Sequence, residues 1–137
     1  PPIWVGGHTK PVMRRAARYG SMWMPPLFNT TPEIMAQNYH YVCKMAEEFG
    51  RKSKDVGLAL RVLVDLRKTP DLPGAQKRSA LTGSSKEIVE MLKGYVNIGV
   101  RHFIFLPQAR TLSDVQLTIS QLVKEIIPHL KGHQDGK

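Results

Sequence analysis

The amino-acid sequence predicts an α/β protein with four strand–helix units on a parallel sheet. Three observations carry that prediction. Short segments rich in β-branched and aromatic residues alternate with longer segments of helical apolar spacing. Helix-start signals precede the helical segments, as at Thr31-Pro32-Glu33 and Ser84-Ser85-Lys86-Glu87. Gly20, Gly50 and Gly99 close three of them, where a left-handed C-terminal cap is expected. Strand–helix units in repetition imply parallel strands joined by right-handed crossovers.

Each element follows from local pattern. Ile3-Trp4-Val5 reads as a short strand that stops at Gly6-Gly7. A helix from Lys10 to Tyr19 carries Pro11 in its first turn, where a missing N–H is harmless. Ser21 to Met24 is a second strand, closed by Pro25-Pro26. The helix that starts at Thr31-Pro32 places Met35, Tyr39, Val42, Ala46 and Phe49 on one face. In the strand from Gly57 to Leu66, Leu58, Leu60, Val62 and Val64 share one side, and Ala59, Arg61, Leu63 and Asp65 the other. Lys68 to Ser79 is rich in Pro, Gly and charge and reads as a loop. Ser84 and Glu87 form a capping box for a helix to Asn97, with Ile88, Leu92 and Tyr95 inward. Arg101 to Leu106 is the fourth strand. The last helix, Ser113 to Leu130, lines up Val115, Ile119, Leu122, Val123, Ile126 and Ile127, and Pro128 predicts a kink or early stop. The expected domain is 1–131, with 132–137 as a flexible tail.

The chain has 137 residues, enough for one domain with a core. A complete (β/α)8 barrel needs about 250. At 42% hydrophobic and 23% charged the composition excludes a disordered chain. The longest apolar runs, such as Phe103-Ile104-Phe105-Leu106, are far below the ~18 residues of a membrane span. No basic-then-apolar leader is visible, and a chain that begins at Pro1 is expected to be processed or a piece of something longer. Cys43 is the single cysteine, which excludes an intrachain disulfide or a Cys-based metal cluster and fits a cytoplasmic location. His40, His102, His129 and His133 lack ligand spacing, so no metal is expected. The net charge is +9, but its basic residues are scattered and no nucleic-acid motif accompanies them. An anionic cofactor or substrate answers the same charge.

One block goes further. Pro2-Ile3-Trp4-Val5-Gly6-Gly7-His8-Thr9, then Arg14-Arg15-Ala16-Ala17-Arg18-Tyr19-Gly20, then Trp23 and Pro25, resembles the luciferase-like monooxygenase family. It is most similar to the branch that uses the deazaflavin coenzyme F420. The Thr-Pro-Glu helix start, Gly50-Arg51, Leu81-Thr82-Gly83-Ser84 and Gly99-Val100-Arg101-His102-Phe103 agree in order. The resemblance implies the C-terminal half of a TIM (β/α)8 barrel, strands five to eight with their helices. It implies an F420- or FMN-dependent oxidoreductase or monooxygenase, a flavoprotein in the FMN case. This chain alone is then expected to lack a complete active site. Family members commonly carry Asp-Gly before the tryptophan, where this chain has Ser21-Met22.

The resemblance places the cofactor phosphate on Gly6, Gly7, His8 and Thr9. Taken alone, a double glycine after a strand is a tight βα turn, and one that opens a helix offers free N–H groups to an anion. His8 is either a phosphate partner or an exposed helix-flanking residue. Trp23, at a strand end, is either beside a ring system or simply core. Arg61, in an apolar strand, needs an anionic partner if buried, from substrate, phosphate or Asp65. No catalytic residue is assignable. The expected partners are a small-molecule substrate and either a second copy, as a dimer, or an N-terminal half-barrel; neither nucleic acid nor membrane is expected. The alternative reading is a non-catalytic half-barrel module that dimerises and binds a phosphorylated ligand.

Overall fold

The structure is a computed structural model that describes residues 1–28, 30–66 and 80–131. The predicted loop Lys68–Ser79 and the predicted tail Gly132–Lys137 lie outside the described residues. The elements run β1 (Trp4–Gly6), α1 (Lys10–Tyr19), β2 (Met22–Met24), α2 (Pro32–Glu48), β3 (Gly57–Asp65), β4 (Ala80–Thr82), α3 (Ser85–Asn97), β5 (Val100–Pro107), α4 (Leu112–Gln121) and α5 (Ile127–Lys131). The strands form one sheet in the order β1-β2-β3-β4, with β5 also paired to β3. The α/β class with parallel strands and alternating helices is as the sequence predicts; the short strand β4 is an addition. Three residues are too few to show an alternating pattern, so Ala80–Thr82 had no signal of its own. Among the described residues no helix is long and apolar enough to cross a membrane.

The chain divides into two compact units, Pro1–Arg61 with Ile98–Ile104, and Val62–Asn97 with Phe105–Lys137. In the first, the parallel register aligns Trp4 with Met22 and Met22 with Gly57, and Val5 with Trp23 and Trp23 with Leu58. Residues in register on neighbouring strands share a face. Trp4, Met22, Gly57, Ala59 and Arg61 therefore occupy one face. Val5, Trp23, Leu58 and Leu60 occupy the other. The helices cover the second: Met35 of α2 and Trp23 line one cavity. On the first face, Trp4 of β1 and His102 of β5 bring their ring centroids to 5.3 Å, although β2 and β3 lie between their strands. A flat sheet would hold such edges ~14 Å apart. The two side chains converge because the sheet of this unit curls towards that face.

α1 buries Met13, Ala16 and Ala17 and turns its arginines outward. Its end departs from expectation. Gly20 lies at φ −81°, in extended rather than left-handed backbone. Glycine is required there by space: a Cβ would stand 2.7 Å from the Ala16 carbonyl oxygen. Gly50 and Gly99 do take positive φ.

In α2 the Thr31 hydroxyl accepts the Ile34 N–H at 3.3 Å, and Met35, Val42, Met45 and Ala46 are buried. Tyr39, half-buried, donates its hydroxyl to the Val56 carbonyl at 2.7 Å and so ties α2 to the start of β3. Burial first, and the neighbouring Cys43 second, push the phenol from 10.0 up to about 12. Its contribution to stability is complete below pH 10 and is lost as pH rises towards 12. Tyr39→Phe is expected to cost about 1 kcal/mol at neutral pH. It should also flatten the alkaline fall in stability, measured by urea unfolding between pH 8 and about 12.

In the second unit, Leu63–Asp65 of β3 pairs in parallel with Ala80–Thr82. The Ser84 hydroxyl accepts the Glu87 N–H at 3.2 Å and bonds the Glu87 carboxylate at 3.1 Å. The predicted cap is present, with the carboxylate on the hydroxyl. α3 buries Ile88, Val89, Leu92 and Tyr95. α4 begins one residue before the predicted Ser113, with the Thr111 hydroxyl accepting the Asp114 N–H at 3.1 Å. A π-helical segment, Leu122–Ile126, leads from α4 into α5. It contains Lys124, the residue whose carbonyl Pro128, lacking an N–H, cannot bond. Pro128 thus widens the helix instead of stopping it. The predicted apolar stripe is only partly inward: Leu122 and Ile126 are buried, whereas Ile119 and Val123 are about half exposed. The apolar pattern is wider than the surface this unit has to cover it.

Candidate functional site

The loop from Gly6 to Thr9 joins β1 to α1, and β2 fixes it from both sides. The Gly7 N–H donates to the Met24 carbonyl at 3.2 Å, and the Trp23 indole N–H donates to the Gly7 carbonyl at 2.8 Å. Gly7 sits at φ +122°, and a Cβ there would lie 3.0 Å from Val12 Cγ1. Both conditions demand glycine. With its N–H and carbonyl engaged, Gly7 shapes the loop and has no backbone donor left for a ligand. No described residue accepts from the amides of His8 and Thr9.

Thr9 is the N-cap of α1 but makes no side-chain cap bond. The first-turn amides, Lys10 and Val12 among them, therefore remain open to an outside acceptor. The first turn holds no acidic residue, and Lys10 adds a positive charge. Backbone donors at a helix N-terminus gather where an anion would be stabilised, and the Lys10 ammonium, 5.9 Å from the centre of the Tyr41 ring, adds positive charge to the same turn. His8 is exposed, with its ring centroid 6.5 Å from that of Phe28. A cavity of about 190 Å3 opens beside it, lined by His8, Trp23 and Phe28 and by Ile34, Met35 and Asn38 of α2.

The structure gathers Gly6, Gly7, His8, Thr9 and Trp23 at one place and sets Arg61 apart. Trp23 is 1% exposed, on the helix-covered face. Only its indole edge reaches the loop. A buried indole N–H needs an acceptor, and this one finds the carbonyl of the glycine loop. Arg61 lies on the opposite face with its side chain exposed. Its backbone accepts from Leu27 and donates to the Pro25 carbonyl, and no ion pair engages its guanidinium among the described residues. Asp65 is fully buried.

Sequence reasoning missed Arg51. Its guanidinium donates to the Ala17 carbonyl at 2.6 Å and to the Gly20 carbonyl at 2.7 Å, closing the C-terminus of α1. The available signal was a basic residue directly after a helix-ending glycine, but its target lies 31 residues away. Cys43 is half-buried. Burial raises its thiol pKa against the lowering effect of the Tyr39 hydrogen bond, which disfavours the nucleophilic thiolate. Glu33 is lowered by backbone and Thr31 hydrogen bonds at the start of α2. No group of three His, Cys, Asp or Glu that could hold a metal is found among the described residues.

Comparisons with known proteins agree with the architecture. The coenzyme F420-dependent tetrahydromethanopterin reductase from Methanopyrus kandleri superposes with a TM-score of 0.72 at 11% identity, over 94% of this chain and 51% of its own. An F420-dependent secondary alcohol dehydrogenase, solved with an F420-acetone adduct, gives 0.74 at 15% identity, over 94% and 48%. A riboflavin lyase solved with modified FMN and riboflavin gives 0.62 at 11% identity, over 98% and 43%. The chain thus spans about half the length of the solved structures it matches, and at these identities they show the fold. No curated protein sequence matches. The luciferase-like monooxygenase model matches residues 1–76, more than half of the 137. On that match this chain belongs to the luciferase-like monooxygenase family.

Proposed function

We propose that the chain is the C-terminal half-barrel of a cytoplasmic F420- or FMN-dependent oxidoreductase, and that it holds the cofactor phosphate. The observation that carries this is the uncapped start of α1 behind a glycine loop fixed by β2. Amides of His8, Thr9, Lys10 and Val12 bind the phosphate, the Lys10 ammonium adds charge, and Gly7 gives the loop its shape. F420 fits the family branch the opening block resembles, and FMN is the alternative. When bound, the cofactor supplies hydride transfer, and the protein supplies binding and orientation. Arg61 offers a guanidinium with no ion-pair partner among the described residues, on the face away from the helices, and is the residue we assign to an anionic part of the substrate.

That face also exposes Trp4, and Ile3 beside it is exposed as well. A complementary half-barrel covers them, from a second copy or from an N-terminal half. If that cover forms without turnover, the chain is the non-catalytic, dimerising module.

Titration of the chain with F420 and with FMN tests the site. Gly7→Val brings strain at positive φ and a clash with Val12, and is expected to weaken binding of either cofactor about tenfold or more. Lys10→Gln, which leaves the backbone intact, should weaken it by a smaller factor. Wild-type affinity in both folded variants would remove the phosphate assignment. Sedimentation of the same samples reads the assembly: a bare monomer that binds no dye at its apolar face argues against the covering half.

A further inference from the structure

A second basic feature lies on α1, away from the glycine loop. Arg14, Arg15 and Arg18 are exposed, opposite the buried Met13, Ala16 and Ala17. With Pro11, Tyr19 and Phe49 they line a groove of about 430 Å3. Its floor is aromatic. The Arg14 guanidinium carbon lies 5.8 Å from the centre of the Phe49 ring, and that of Arg18 lies 5.5 Å from the same ring. Arg18 also stands 5.2 Å from the Tyr19 ring.

Two guanidiniums over one phenyl ring repel each other, and stacking holds them in place against that repulsion. No carboxylate pairs with Arg14, Arg15 or Arg18, and none of the three donates a hydrogen bond, among the described residues. α1 contributes no acid of its own, since its sequence is KPVMRRAARY. Two guanidiniums held over one ring and a third lining the same groove thus present N–H donors that no described residue accepts. A single carboxylate neutralises one guanidinium. A diphosphate carries enough charge and enough oxygens for all three, in the bidentate geometry that arginine favours. The volume exceeds what a bare anion fills and lies within the range of small-molecule sites. Tyr19, 60% exposed at one end, gives a planar group a ring to stack on.

We propose that this groove binds a diphosphate-bearing small molecule of the nucleoside diphosphate class, at a site separate from the Gly6–Thr9 loop. It does not depend on the cofactor reading. The test is calorimetric titration of the whole chain with ADP and with inorganic pyrophosphate, with amide NMR shifts to locate the ligand. Shifts are expected along Arg14–Tyr19 and at Phe49. Arg14→Gln with Arg18→Gln, both at exposed helix positions, should weaken binding about tenfold or more. Arg14→Lys with Arg18→Lys keeps the charge but loses the fork, and should weaken it several-fold. Gly7→Val should leave it unchanged. ADP tighter than pyrophosphate supports the nucleotide; equal affinities support free diphosphate as the source of the same chemistry. The proposal is overturned by any of four results. These are no binding at millimolar ligand, glutamine or lysine pairs that bind like the wild type, shifts confined to Gly6–Thr9, and an equal loss in Lys93→Gln with Lys124→Gln, a pair that does not line the groove, which would reveal only a diffuse positive field.

Discussion

Trp23→Ala is expected to destabilise the chain by about 3–5 kcal/mol, a large part of the ~5–15 kcal/mol that holds a typical domain together. The indole is 1% exposed, and its removal leaves a void between Leu58 and the start of α2. It also removes the donor that fixes the Gly7 carbonyl. The two losses separate in Trp23→Phe, which keeps most of the packing and loses the N–H. That variant should cost about 1–2 kcal/mol and still loosen the glycine loop. Urea unfolding reads the first quantity, and cofactor affinity at matched folded fraction reads the second. If Trp23→Phe left both unchanged, the clamp on Gly7 would have no weight.

Arg51→Ala carries the second large effect, about 2–4 kcal/mol. Two charge-assisted hydrogen bonds vanish together, and the Ala17 and Gly20 carbonyls lose their partner at the end of α1. Gly20 is buried, so water does not readily replace the guanidinium. Lysine supplies one point of charge where arginine supplies a fork, and Arg51→Lys should recover less than half of the loss. Faster amide exchange confined first to the last turn of α1 would locate the effect. A global loss with that turn still protected would place the arginine's role elsewhere.

These two residues show what was legible in the sequence. Local signals were readable. Lys10–Tyr19 followed from Pro11 and Gly20, and the start of α2 from Thr31-Pro32. The Ser84–Glu87 cap sat three residues apart, within reach of any pattern reading. The glycine loop was visible because a strand end, two glycines and a helix start are consecutive. Bonds between distant segments were not readable. Trp23 reaches Gly7 across 16 residues, and Arg51 reaches Ala17 across 34. Nothing in the neighbours of either residue names its acceptor. The face on which Trp23 lies was equally hidden, because a three-residue strand shows both parities and only its register with Leu58 decides. Gly20 was recognised as a helix end for the wrong reason, since a pattern cannot tell a positive φ from a crowded carbonyl.

The π segment at Leu122–Ile126 acts on the reading frame of the last helix. Leu122, Ile126 and Leu130 are all buried and lie four residues apart. In a helix of 3.6 residues per turn, successive steps of four drift around the axis, and the third residue would rotate away from the core. A looser turn absorbs the excess, so the three stay in line. The widened turn is in effect one inserted residue whose phase error has been cancelled locally. Deleting a residue between Leu122 and Ile126 would remove the insertion and restore a regular helix in which Leu122, Ile126 and Leu130 stand three and four residues apart and still share one face. The number of residues between Leu122 and Ile126 can therefore fall by one without turning Leu130 away from the core.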